Sequence, residues 1–202
     1  MRNDALTPSQ VSAVTGLPLP AVHKAIEYKL IRAKRVRDGH LVQRLLSRSQ
    51  AVYLRLEAKG LRALPLAARR RVARAVEQDP GIDAMLISEG SAIQIQCKSA
   101  RKEVEAGLRC LSEATQMVES DPDLMRGAPV YRGTRIPVHA IADMLSQGAT
   151  VAEILDGYPA LTRENVALAP MYAKAFPRRG RPAVRPWAKR SPRRVTERRL
   201  TS

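Results

Sequence analysis

The chain has 202 residues, with 35 Lys and Arg against 19 Asp and Glu, and a formal net charge of +16 at pH 7. A hydrophobic content of 45% allows genuine cores and excludes a wholly disordered chain, while 3% aromatics argues against a base-stacking or carbohydrate-binding face. No apolar run approaches the roughly 20 residues of a membrane helix, and Met1-Arg2-Asn3-Asp4 opens without a signal-peptide core.

Cys97 and Cys110 have no zinc-ligand spacing and read as reduced structural thiols of a cytoplasmic protein. His23, His40 and His139 are scattered singly, so the sequence offers no metal, cofactor or triad constellation and no positive sign of an enzyme. The charge is regional. Residues 1–74 hold 16 basic and 4 acidic side chains, residues 75–173 hold 8 and 14, and residues 174–202 hold 11 and 1.

In chain order, Thr7-Pro8 is an N-cap with proline at the first helical position, Val11 and Val14 supply an apolar face, and Gly16 ends the helix. A second helix is expected from Leu19-Pro20, over Ala21, Val22, Ala25 and Ile26. Two short helices joined by a glycine-containing turn have helix-turn-helix spacing. Asp38-Gly39 between Arg32–Arg37 and His40–Gln43 predicts a hairpin, which in this position is a wing. A third helix follows over about Ser47 to Lys59, and another over Leu64 to Gln78, where Arg69, Arg70, Arg71 and Arg74 extend a basic surface. Asp79-Pro80-Gly81 is a boundary.

In order and size this segment resembles the winged helix-turn-helix of MerR-like regulators. The resemblance implies that the second helix enters the major groove of duplex DNA and that the wing lies on the adjacent backbone. His23 and Lys24, beside Glu27 and Tyr28, are then the groove residues, and Arg32, Lys34, Arg35 and Arg37 the phosphate contacts. The alternative is a cationic hairpin that is simply a solvated surface; the charge excess favours nucleic acid.

Two short strands are expected at Ala84–Ile87 and Ala92–Cys97 around Glu89-Gly90, with Ile93, Ile95 and Cys97 on one face. A lone strand pair is marginal, so it must pack on the following helix (about Ala100 to Thr115) or across a dimer.

From Met117 the chain carries Gly127-Ala-Pro-Val-Tyr-Arg-Gly-Thr-Arg-Ile-Pro-Val138, then Gly148-Ala149-Thr150, Ala152–Leu155, Tyr158-Pro159 and Leu161-Thr162. Pro137 can open a helix that stops at Gly148. Thr150 and Glu153 form a capping box for a second helix, and Thr162 begins a third, in which Pro170 is expected to cause a kink or an early end. These motifs resemble the domain-of-unknown-function 433 family. That resemblance implies a homeodomain-like three-helix unit after a short strand pair, in a VapB-like antitoxin of a PIN-type ribonuclease toxin. Asp121, Asp123, Asp143, Glu153, Asp156 and Glu164 would repel phosphates, so this unit reads as an assembly module of a homodimer, with Arg132 and Arg135 paired to local carboxylates.

Residues 177–202 contain Pro177, Pro182, Pro186 and Pro192, are strongly cationic and cannot form a core, so they are expected to be disordered alone. A generic nucleic-acid or solubilising tail is one reading. The antitoxin resemblance implies a sharper one, in which tail cations neutralise the carboxylates of a PIN-type active site. Arg185, Trp187, Lys189 and Arg190, with Arg193 and Arg194, are then the toxin contacts.

The whole chain is expected to be mainly α with small β elements. It divides into a winged helix-turn-helix over 1–78, a central strand pair plus helix over 79–116, a homeodomain-like three-helix domain over 117–176 and a basic tail over 177–202. The expected function is an antitoxin that represses its own operon. The alternative is a stand-alone MerR-like regulator whose tail binds DNA non-specifically, and a more remote option is an RNA-associated adaptor.

Overall fold

Four of the helix starts follow directly from capping chemistry. Thr7 begins α1 (Pro8–Thr15), Ser47 begins α3 (Arg48–Ala58), Thr150 begins α7 (Val151–Gly157) and Thr162 begins α8 (Arg163–Ala175), each in a reciprocal capping box with the residue three positions on. Gly16, in the left-handed conformation at φ 74°, closes α1 and turns the chain into α2 (Leu19–Glu27). A computed structural model describes residues 5–38, 41–89, 91–121 and 127–178. The remaining elements are α4 (Leu66–Gln78), α5 (Cys97–Gln116) and α6 (Val138–Ser146). Three two-stranded antiparallel sheets join them: β1 (Lys34–Asp38) with β2 (Leu41–Leu45), β3 (Ala84–Glu89) with β4 (Ser91–Gln96), and β5 (Val118–Glu119) with β6 (Val130–Tyr131). The chain is mainly helical with small strand pairs, as its periodicities predict.

Two apolar cores hold these elements. The first gathers Val11, Val22, Leu46, Tyr53, Leu54, Val72 and Val104, and the second gathers Tyr131, Val138, Ile141, Ile154, Val166 and Ala169. α5 and α8 contribute to both: Leu111 and Ala175 lie in the first core, Ala114 and Tyr172 in the second. α1 packs on both of these helices. Its approach to α5 depends on Gly107, because a Cβ there would stand 2.9 Å from the Val14 carbonyl oxygen. The β3–β4 pair rests on the first core through Met85, Ile87 and Ile95, leaving Leu86 exposed on its outer face.

Several expectations need correction. Cys97 is the first residue of α5 and does not end a strand. Its N–H and that of Lys98 both donate to the Asp83 carbonyl at 2.9 Å, which turns the chain into a helix three residues before the apolar periodicity signals one. The Cys97 side chain is buried, which pushes its thiol pKa up. Pro170 does not shorten α8, which continues to Ala175. Ala169, Tyr172 and Ala175 are all buried around it, and that packing outweighs a lost hydrogen bond and ring clash costing about 3 kcal/mol. Arg132 donates its Nε–H to the Gln116 carbonyl, while the Glu119 carboxylate accepts the Gly133 N–H at 2.9 Å.

Arg69 is also displaced from its expected role, since it does not join the basic surface. Its Nε and Nη2 donate to the two oxygens of Glu57 at 2.8 and 2.9 Å, a bidentate pair between α4 and α3. Glu57 is 3% exposed and also accepts the Tyr53 O–H; burial first, then Glu57, pushes the Tyr53 pKa up. Nearer the surface, Glu103 of α5 bonds Lys59 and Arg55 at 2.6 Å each. Those two cations, Lys59 foremost, hold its carboxyl down at about 2. Arg55 also donates to the Thr15 carbonyl at 2.8 Å, so one guanidinium links α1, α3 and α5.

Arg69→Met strands the Glu57 carboxylate in the interior and should cost about 3–5 kcal/mol in urea unfolding. Replacing the whole group in Tyr53→Phe/Glu57→Leu/Arg69→Met should recover most of that loss. If the single variant is as stable as the parent, the pair does not hold α4 on α3.

Candidate nucleic-acid interface

α2 is seated by Val22 and Ala25, which are buried, and this seating leaves Lys24, Glu27 and Tyr28 exposed and His23 half-buried. Its C-terminus is a Schellman motif: the Leu30 N–H donates to the Ala25 carbonyl at 3.0 Å and the Lys29 N–H to that of Ile26 at 3.1 Å. The position that usually requires glycine is Lys29, at φ 55°, the one non-glycine residue with positive φ among the described residues. Buried Leu30 and Ala25 close the motif and hold the strained lysine in place.

The next cation is fixed from behind. Gln50, 6% exposed inside the α3 capping box, donates its Nε2–H to the Arg32 carbonyl at 3.0 Å. The hairpin then separates its charges by strand alternation. Arg35 lies directly opposite Arg44 and Arg37 opposite Val42, so these four side chains share one face. Lys34 is on the other face with Val36, Gln43 and Leu45, which are half-buried.

A groove of about 490 Å³ runs between the end of α2 and the hairpin, lined by Glu27, Lys29, Arg32, Arg35 and Arg44 together with Ile26, Ile31 and Ala33. Like charges directly opposite each other on a strand pair are destabilising, so the juxtaposition of Arg35 and Arg44 favours an anion above them. The structure thus brings two of the expected phosphate contacts, Arg32 and Arg35, together with two residues that the sequence reading missed, Lys29 and Arg44. Arg37 shares the arginine face without lining the groove, Lys34 points to the other side, and His23 and Lys24 stand on α2 outside the groove. The sequence alone did not place Arg44 here: Asp38-Gly39 as a two-residue loop would set Arg35 opposite Val42, whereas Asp38 pairs with Leu41 and Arg35 therefore meets Arg44. Nothing local marks Lys29.

Elsewhere the acidic side chains of the C-terminal helices are partly engaged. Asp143 pairs with Arg178 at 2.8 Å. The Glu153 carboxyl accepts from Thr150, whose backbone N–H holds it below the usual carboxylate range. Buried His139 bonds the Phe176 carbonyl through Nε2 at 2.8 Å and stands edge-on to Tyr172. Among the described residues no group of three or more His, Cys, Asp or Glu could hold a metal ion, and no helix is long and apolar enough to cross a membrane. Arg185, Trp187, Lys189, Arg190, Arg193 and Arg194 lie outside the described residues.

Residues 118–173, from β5 through most of α8, match the family described as "Protein of unknown function (DUF433)". An uncharacterized protein, y4eO, of Sinorhizobium fredii (strain NBRC 101917 / NGR234) is 43% identical over 74 residues. That stretch is 37% of this chain and spans only 34% of the relative's length. Among solved structures, a crystal structure of Rv2018 from Mycobacterium tuberculosis aligns with a TM-score of 0.35 and 13% identity, over 82% of this chain and 96% of that one.

Lys29→Gly should remove the left-handed penalty and stabilise the chain by about 0.5–1 kcal/mol, read as a higher urea midpoint. A lower midpoint would mean that the lysine side chain contributes more than its backbone conformation costs.

Proposed function

We propose that the chain is a DNA-binding antitoxin and autorepressor, with a winged helix-turn-helix at its N-terminus. The observation that carries the DNA reading is the groove in which Lys29, Arg32, Arg35 and Arg44 converge beside the exposed face of α2. On this reading α2 presents Lys24 and Tyr28, with His23, to the major groove, and the arginine face of the β1–β2 hairpin lies on the backbone as a wing. The homeodomain-like unit of α6, α7 and α8 assembles a homodimer in place of a second DNA contact, consistent with its carboxylates. Neutralisation of a PIN-type ribonuclease is assigned to the basic tail. Support for that step comes from the likeness of residues 118–173 to the family and from the tail's charge.

A second reading, a stand-alone MerR-like regulator, is favoured by one observation. Ala175–Arg178 border a groove whose opposite wall is Val42, Gln43 and Arg44. The described chain therefore ends beside the hairpin, and on this reading the cations that follow contact the same duplex.

Fluorescence anisotropy on the duplex upstream of the chain's own coding sequence tests the common premise. Affinity should fall steeply with salt, and Arg35→Gln/Arg44→Gln should reduce the log–log slope by about 1 per arginine without changing sequence preference. A salt-insensitive complex, or no complex at low salt, rejects it. Deleting residues 179–202 separates the two readings. Loss of neutralisation of a co-expressed PIN ribonuclease, with operator binding largely kept, supports the antitoxin. No neutralisation by the full chain, with a salt slope that falls on deletion, selects the stand-alone regulator, and neutralisation retained after deletion rejects its assignment to the tail.

A further inference from the structure

We infer a second phosphate-binding cleft on the other side of Lys29 and Arg32, formed with Arg70 and Arg74 of α4 and taking a separate stretch of the same nucleic-acid backbone. The inference rests on the nucleic-acid reading above and extends it to an element which that reading does not use. α4 buries Ala68, Val72, Ala73 and Val76, and its Arg69 is drawn inward by Glu57. This rotation leaves Arg70 and Arg74, one turn apart, on the exposed side. They face the chain that links α2 to β1 across a cleft of about 550 Å³, lined by Lys29, Leu30, Arg32, Arg70, Arg74 and Glu77.

Four cations thus surround one space with a single carboxylate. Glu77 is itself within 3.4 Å of Gln50 Nε2, the same amide nitrogen that donates to the Arg32 carbonyl. One buried glutamine therefore connects both walls of the cleft, so the cations are held on a fixed frame. Guanidinium groups grip phosphate oxygens in pairs, and a concave polycationic site excludes other cations while concentrating a polyanion. Lys29 and Arg32 also line the hairpin groove, so the two concavities adjoin. A duplex, with phosphates on both sides of an inserted helix, can fill both at once. An isolated phosphate can occupy only one.

The test compares the full chain with Arg70→Gln/Arg74→Gln and with Arg70→Lys/Arg74→Lys, using anisotropy on duplex DNA across a salt series. Thermal melts by circular dichroism verify that each variant is folded. The glutamine pair should lower the log–log salt slope by about 2 and weaken all sequences alike, while the lysine pair should keep most of the slope. If the unsubstituted chain binds duplex DNA and the glutamine pair leaves the slope unchanged, the cleft is not a backbone site and the hairpin reading stands. If the unsubstituted chain binds no duplex, the nucleic-acid reading falls and takes the cleft with it. Inorganic pyrophosphate provides the last arm. Tight pyrophosphate binding that is lost in the glutamine pair, with an unchanged DNA slope, would make this a site for a free phosphorylated ligand and overturn the assignment to DNA.

Discussion

The carboxylate of Glu57 is the group around which the N-terminal half is organised. It is buried and charged in the last turn of α3, so it must be matched, and a bidentate guanidinium with a third donor satisfies its oxygens. Arg69 and Tyr53 supply those donors. By meeting that demand, Arg69 sets the rotation of α4 about its own axis, which decides the direction in which the neighbouring arginines point. A hydrophobic contact in its place would have stabilised the same two helices with less angular definition. At the other end of α3, Gln50 acts similarly on the chain leading into the hairpin, through the Arg32 carbonyl.

The second organising feature is that the two cores are not independent. α5 and α8 each have residues in both, and α1 lies across them at a contact that tolerates no Cβ on residue 107. The segment that matches the family is therefore joined to the N-terminal elements by packing as well as by the chain. This arrangement also explains why a proline is accepted inside α8: the residues around it are committed to burial on two sides. The end of α8 brings Phe176 and Arg178 close to β2, so the point where the described chain ends is adjacent to the hairpin.

Net charge is a poor guide to which cations are available. Of the basic side chains in the first 74 residues, Arg69 neutralises a buried acid, and Arg55 and Lys59 neutralise Glu103. These three are structural. The residues that remain in the two adjoining concavities (Lys29, Arg32, Arg35, Arg44, Arg70 and Arg74) are fewer than the total implies, but they are gathered on one side of the end of α2. Concentration of this kind, more than the overall +16, generates a field that a polyanion can feel.

What could be read from the sequence was local. The N-cap at Thr7, the capping box at Thr150 and the glycine stop after α1 depend on residues within a few positions of one another, and each lies where the spacing predicts. The register of the hairpin was not legible: Asp38 pairs with Leu41 instead of standing in the turn, which moves Arg35 from Val42 onto Arg44. The other failures share a cause. Cys97 begins a helix because a carbonyl fourteen residues earlier captures its N–H, and Arg69 turns inward because of an acid twelve residues away. Lys29 adopts a glycine conformation because buried Leu30 and Ala25 lock the turn around it. Sequence determines which residues can form a helix, a turn or a cationic patch, since those preferences are carried by neighbours along the chain. Tertiary structure decided which cations are consumed internally and which converge, because that depends on the desolvation of charges brought together from distant positions.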